Sequence, residues 1–192
     1  MRRLAALAMT VAALSAACGS DDGDDTTAAG PTATAATAEF NDADVTFAQS
    51  MIPHHEQAVE MAMLAGDRSE SEEVKDLATR IEAAQGPEIE TMTGWLDDWD
   101  EPVEGGGEMD GMDMGEMGGM MSEEDMVALE GAEGSDFDRQ FLEMMAEHHR
   151  GAIEMAETEI EDGEHADALA LAQEIVETQT AEIAEIEELL AA

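Results

Sequence analysis

The chain has 192 residues, 48 of them acidic and only 7 Lys or Arg, for a formal net charge of -41. This charge repels phosphate backbones and anionic lipid surfaces, so nucleic acid is excluded as a partner and cations are favoured. The single cysteine excludes an internal disulfide and thiolate zinc sites, and the low aromatic content of 3% with abundant Ala and Met favours helices over sheets.

The N-terminal 41 residues predict an export signal followed by a tether. Arg2 and Arg3 precede an apolar run, 4–14, that is too short to span a bilayer. The small residues that follow resemble the end of a bacterial lipoprotein signal, in which cleavage after residue 17 leaves a lipidated Cys18. An ordinary secretory signal is the alternative, because Ser15 stands where lipoprotein signals usually have Leu.

The segment 18–41 consists largely of Asp, Thr, Ala and Gly, and it predicts a disordered tether. The protein is therefore expected outside the cytoplasmic membrane, in contact with the membrane only through the lipid on Cys18. A secreted form without that anchor is the alternative.

A duplication organises the remainder of the chain. Residues 42–96 align without a gap on residues 136–190, and the identities run through loop and helix alike. Each copy predicts an αα-hairpin, over 42–99 and 135–192. Because neither hairpin has a complete core alone, the two predict an all-α, four-helix bundle.

Several helix ends can be predicted from local signals. In the first copy, we expect the first helix to end near Ala65 with Gly66 as its C-cap, and Pro53 to kink it. In the second copy, Ser135 is expected to be the N-cap and Asp138 its partner at the third helical position. The second helix of the first copy contains Gly86 and Pro87, where a second kink is expected.

The segment 100–134 predicts a linker rich in Met, Gly and Asp, with a short helix capped at Ser122. Methionines at such spacings in an acidic chain can surround a soft cation, whereas the alternative is drift in a low-complexity linker. The candidate linker ligands are Met109, Met112, Met114, Met117, Met120 and Met121.

Paired histidines lie at equivalent positions of the two copies, together with methionines on the same helical stripe. Imidazole with thioether is a soft-to-borderline donor set that favours Cu(I) over iron, magnesium or calcium. Affinity should fall below about pH 6.5, because the imidazoles must be neutral to bind. The candidate ligands are His54, His55, His148, His149, Met51, Met61, Met145 and Met155.

Alternative roles are open for these and neighbouring side chains. The histidines could instead be half-exposed, and Met61 and Met155 taken alone are more typical of a helical core than of ligands. Glu88 and Glu182, with Gln85 and Gln179, are candidate partners of the histidines. Glu60 and Glu154 could equally face solvent. We expect the isolated His165 in solvent, and Trp95 and Trp99 at one end of the core.

The twin HHxxAxxMA segments, His54 to Ala62 and His148 to Ala156, resemble those of the bacterial domain of unknown function family 305. So do the run from Met51 to His55, the run from Met120 to Met126, and Phe141-Leu-Glu-Met-Met. The resemblance covers about residues 40–192. It implies a ferritin-like four-helix fold, usually exported, with some members linked to copper binding and copper tolerance.

Three functions follow as hypotheses. The first is a lipid-anchored protein that sequesters or transfers Cu(I) without catalysis. The second is a ferritin-like oxidase or peroxidase, which would need Glu60, Glu154, Glu88 or Glu182 to face inward as hard ligands. The third is an envelope scaffold that binds no metal. The sequence leaves open whether the chain forms a homo-oligomer.

Overall fold

The computed structural model describes residues 39–103 and 118–192. The expected signal, Cys18, most of the tether and Met109, Met112, Met114 and Met117 lie outside these residues. Every regular element in the described part is a helix, which confirms the all-α class. The helices are α1 (Asp42–Arg68), α2 (Glu72–Asp98), α3 (Glu123–Gly131), α4 (Gly134–Asp162) and α5 (Ala166–Ala191).

The four long helices form two hairpins that meet through their first helices. α1 packs along α2, α4 packs along α5, and α1 contacts α4. One apolar cluster joins the start of α1, at Phe47, to the later part of α4, at Ala156. A second joins the end of α1, at Ala65, to the start of α4, at Phe137. α1 and α4 are therefore antiparallel, which places the pseudo-twofold axis of the duplication perpendicular to these helices.

Two equivalent aspartates connect the hairpins crosswise. Asp44, near the start of α1, accepts hydrogen bonds from the backbone N–H groups of Glu164 and His165 between α4 and α5, at 3.2 and 2.8 Å. Asp138, near the start of α4, accepts from the Ser69 hydroxyl and from the Ser71 N–H between α1 and α2. Each aspartate thus stabilises the interhelical turn of the other hairpin.

These connections explain two helix ends that differ from the expected ones. The predicted C-cap at Gly66 is wrong, since α1 continues to Arg68 and is capped at Ser69, whose hydroxyl bonds Asp138. The predicted cap at Ser135 is also wrong, since α4 is capped at Glu133 without a side-chain hydrogen bond. Asp138 serves the α1–α2 turn and does not close a capping box.

The expected cap of the short helix is confirmed. A capping box starts α3 at Ser122, with Asp125 as its partner. α1 and α2 continue without a break through Pro53 and Pro87. In the described parts of the chain, none of the helices is long and apolar enough to cross a membrane.

Replacing Asp138 by Ala should lower the free energy of unfolding by about 2 kcal/mol, because the Ser69 hydroxyl and the Ser71 N–H lose a charged acceptor. Urea unfolding followed by circular dichroism measures the change. Asp136→Ala is the matched control, since the Asp136 side chain is 80% exposed. Equal stability of the two variants would contradict the role assigned to Asp138.

Candidate metal centre

The four paired histidines form one buried layer where α1 crosses α4. His54, His55, His148 and His149 are each 0% exposed. Helix α1 supplies the first pair and α4 the second, and each pair lies between the two apolar clusters. The His54 and His148 rings are in contact, with centroids 3.7 Å apart. The structure therefore brings together all four histidines that the repeat singled out.

Hydrogen bonds at the outer ring nitrogens set the tautomers of three histidines. The Nε2 of His55 lies 2.6 Å from a carboxylate oxygen of Glu88, and that of His149 lies 2.8 Å from Glu182. The Nε2 of His54 lies 3.1 Å from the Gly118 carbonyl oxygen. A neutral ring that donates through Nε2 carries its lone pair on Nδ1.

Among residues 39–103 and 118–192, the inner ring nitrogens have no hydrogen-bond partner. This is true of Nδ1 in all four histidines, and also of Nε2 in His148. An unsatisfied buried polar group costs about 1–3 kcal/mol, so native proteins seldom keep several together. Lone pairs held inward, with the opposite N–H bonded to a carboxylate or carbonyl, are typical of histidines that ligate metals. The chemistry of these nitrogen donors therefore suits a metal cation.

Burial and mutual proximity keep the central rings neutral. Burial lowers the pKa of His54 to about 3, and the neighbouring His55 contributes to the shift. Burial also lowers the pKa of His148 well below its ordinary value, as do His54, His149 and His55, and a contact with the backbone of His54 offsets only a small part. Neutral imidazole is the form that binds metal.

The candidate methionines lie at different distances from this layer. Met51 and Met145 are fully buried and precede His54 and His148 by three residues, so each lies beside its histidine on the helix surface. Met61 is also fully buried, but it lies seven residues beyond His54, about 10 Å along the axis at 1.5 Å per residue. By helix geometry, Met51 and Met145 are the nearer thioethers.

Met155 occupies a different environment, at the margin of the bundle. It lines an open cavity of about 360 Å³ between α1 and α4, together with Phe47 and Glu159. Glu159 is 1% exposed. Burial raises its pKa to about 8, and the adjacent Asp44 carboxylate adds to the shift. The protonated form of Glu159 therefore predominates at neutral pH.

The end of the linker lies against the histidine layer. Met120 and Met121 are buried, and the backbone of Met121 is hydrogen-bonded to the Gln57 side chain in both directions. Gly118 and Gln57 were not anticipated as neighbours of the site. One signal for them exists in the repeat, since Gln57 aligns with Gly151 inside two otherwise similar motifs.

The supporting polar residues divide into two groups. Glu88 and Glu182 bond the histidines as expected, and Gln85 and Gln179 are buried at 3% exposure. Glu60 and Glu154 are exposed.

The expectation that His165 is solvated is wrong. His165 is 5% exposed, and its Nδ1 accepts the Ala168 N–H as the N-cap of α5. Its ring meets Trp95 and Trp99 edge-on, with centroids 5.5 and 5.1 Å away. The tryptophans lie at one end of the core, and Phe40 stacks on Trp99.

In the described residues, His, Asp and Glu side chains alone do not form a complete metal site. Among residues 39–103 and 118–192, no three His, Cys, Asp or Glu side chains are arranged to hold one metal ion. The inward carboxylates of Glu88 and Glu182 are instead bonded to histidines. A cation bound by the imidazoles would therefore need another donor, and thioethers are available on the same helices.

The fold and this layer define a class: an all-α bundle with two hairpins and a buried set of imidazole and thioether donors. The chain belongs to the DUF305 family, a domain of unknown function, whose model matches residues 44–190. No curated protein matches the chain at a significant level.

Solved structures with this fold include DUF305 proteins from two bacteria. The Streptomyces coelicolor protein is 39% identical, with a TM-score of 0.71 over 78% of this chain and 92% of its own. A DUF305 fragment from Deinococcus radiodurans is 32% identical, with a TM-score of 0.71 over 79% of this chain and 97% of its own. Both matches cover nearly all of the chain of the similar protein.

CopM is a third similar protein, with structures in Cu(I)-bound, Cu(II)-bound, silver-bound and metal-free forms. Its Cu(I)-bound form is 31% identical to this chain. The TM-score is 0.63 over 76% of this chain and 94% of CopM.

Glu159 predicts a pH dependence of stability. Its pKa is raised on folding, so the folded state retains a proton that the unfolded chain releases, and stability should fall as pH rises from about 4.5 to about 8. Glu159→Gln should remove this component, so its stability relative to the parent should increase over that range. Urea unfolding at pH 5 and pH 8 tests this. Exposed Glu157→Gln is the control, and parallel behaviour of the two variants would contradict the assignment.

Proposed function

We propose that this protein binds copper ions outside the cytoplasm and holds or passes them on, with Cu(I) as the preferred state. His54, His55, His148 and His149 are the principal ligands, and Met51 and Met145 are the thioethers best placed to assist. The observation that carries the proposal is the set of four buried Nδ1 atoms without hydrogen-bond partners.

The chemistry of the donors supports copper. Soft thioethers and neutral imidazoles suit Cu(I), whereas magnesium and calcium require oxygen ligands. Neither donor carries a charge, and the depressed pKa of His54 keeps it able to bind in mildly acidic medium. Thioethers also need no deprotonation and cannot be lost to disulfide formation in an oxidising compartment.

The similarity to CopM supports the same cargo. CopM binds Cu(I), Cu(II) and silver in its structures, and silver(I) shares the preference of Cu(I) for soft ligands. Identity of about 31% over most of both chains makes a related role reasonable for this protein. Met61, Met155 and the linker methionines, from Met109 to Met121, are proposed as secondary ligands along the path of the ion.

A metal-dependent oxidase is less well supported by the contacts. It would need carboxylates as ligands, yet Glu60 and Glu154 are exposed. Glu88 and Glu182 bond the outer nitrogens of His55 and His149. These carboxylates are placed to orient imidazoles, which favours binding of the ion over chemistry upon it.

The site of action proposed is the outer side of the cytoplasmic membrane. The N-terminal signal pattern and Cys18 favour a lipid anchor, and the similar Streptomyces coelicolor protein is named as a secreted one. The strongly acidic surface would then concentrate cations near the bundle.

Replacing His54 and His148 together by Ala should weaken Cu(I) binding at least about tenfold, because both ring ligands at the crossing of α1 and α4 are lost. Anaerobic competition with a chromophoric Cu(I) chelator measures the affinity. Met145→Leu should weaken binding by a smaller factor, since the histidines remain.

Two control variants test whether the loss of any methionine or histidine, and not only one in the histidine layer, weakens binding. Met63→Leu removes a methionine that is 66% exposed, and His165→Asn removes a histidine outside the layer while keeping an N-cap side chain. Both should bind as the parent does. If the His54/His148 double variant also binds as tightly as the parent, the histidine layer is not the copper site.

The anchor proposal predicts the behaviour of Cys18→Ser. This variant cannot accept a lipid, so the protein should move from the membrane fraction to the soluble extracytoplasmic fraction. Immunoblots of fractionated cells, with the parent as control, measure the distribution. Recovery of the variant in the membrane fraction with residues 1–17 removed would contradict lipid anchoring through Cys18.

A further inference from the structure

One short segment lies directly on the histidine layer, and we call residues Gly118–Met121 the strap. Its first carbonyl accepts the hydrogen bond from His54 Nε2 at 3.1 Å. Its last residue is held by the Gln57 side chain, which donates to the Met121 carbonyl at 2.9 Å and accepts the Met121 N–H at 2.7 Å. The strap is thus attached to α1 at both ends.

The strap lies so close to α4 that glycine is required both in the strap, at Gly119, and in α4, at Gly151. A Cβ at position 151 would overlap the carbonyl of Gly118, so only Gly at position 151 admits the strap at this depth. Gly119 has a φ of +82°, and a Cβ there would lie 2.6 Å from the Glu147 carbonyl oxygen. The strap is therefore seated in a groove formed by the α1–α4 pair.

The strap also breaks the pseudo-twofold symmetry of the bundle. Gln57 and Gly151 occupy equivalent positions of the repeat. The Gln57 side chain is hydrogen-bonded to the strap, whereas Gly151 lacks the Cβ that would overlap it. His54 and His148 are likewise equivalent. His54 has its Nε2 bonded to the strap, whereas neither ring nitrogen of His148 has a hydrogen-bond partner in the described parts of the chain.

We propose that the strap is a positioning element of the metal centre, which fixes His54 in the Nε2–H form so that Nδ1 is its ligand atom. The expected effect on copper affinity rests on the proposed function, whereas the effect of the strap on the His54 tautomer does not depend on a metal. Without the Gly118 carbonyl, His54 Nε2–H would have no other acceptor among the described residues, and the ring could place its proton on either nitrogen. The strap therefore makes the two central histidines inequivalent.

Two variants undock the strap by different means. Gln57→Ala removes both hydrogen bonds to Met121, and Gly151→Ala introduces the excluded Cβ. The matched controls are Gln49→Ala, which removes an exposed hydrogen bond to Pro102, and Gly94→Ala, where a Cβ meets nothing within 4 Å. If Gly151→Ala does not fold, Gln57→Ala alone decides the question.

The first readout is the tautomer of His54 in metal-free protein, from ¹⁵N-detected two-bond correlations of the imidazole ring. The parent and both controls should show His54 with Nε2 protonated and Nδ1 unprotonated. The strap variants should show a mixture of the two tautomers. A single Nε2–H form of His54 in the folded strap variants would overturn the inference.

The second readout is Cu(I) affinity by chelator competition. Both strap variants should bind about tenfold more weakly than the parent and the controls, as expected when a group that orients a ligand is lost. An altered tautomer with unchanged affinity would overturn the positioning role. If the parent itself binds no Cu(I), the proposed function fails, and the ring signals still decide whether the strap sets the His54 tautomer.

Discussion

The burial of four imidazoles between α1 and α4 is the constraint on which the rest of the structure depends. Each ring needs an acceptor for its outer N–H, which Glu88, Glu182 and the Gly118 carbonyl supply to three of them. These bonds leave the inner lone pairs without partners. The carboxylates come from α2 and α5, so the outer helices orient the rings that the inner helices carry.

The crossed aspartates hold the inner helices in the register that this layer requires. Asp44 and Asp138 each bond the turn of the opposite hairpin, so neither hairpin is complete without the other. A shift of α1 against α4 would break both connections and separate the His54 ring from its counterpart. The two copies differ in their caps, since Asp44 also closes a capping box with Asn41, whereas α4 starts without a side-chain cap.

Charge and selectivity are carried by different parts of the molecule. The acidic residues give the chain its charge of -41, and many of them, such as Glu60 and Glu154, lie in solvent. Carboxylates at a surface attract any cation. In the proposed function, the imidazoles and thioethers of the interior would discriminate between cations, because soft ions bind them without the oxygen ligands that hard ions need.

The sequence by itself determined the all-α class and the repeat, and it predicted the candidate histidines. Hydrophobic periodicity and motif spacing depend only on residues that are close together in the chain, so they can be read without the fold. It was wrong about Gly66 and His165, because the Ser69 cap and the His165 ring contact groups more than 60 residues away. It was also wrong about Ser135, which lies inside α4. Only the tertiary structure decided which ring nitrogens are free and how the strap distinguishes His54 from His148. The reason is physical: a tautomer is set by the acceptor that reaches the ring, and for His54 that acceptor lies 64 residues further along the chain.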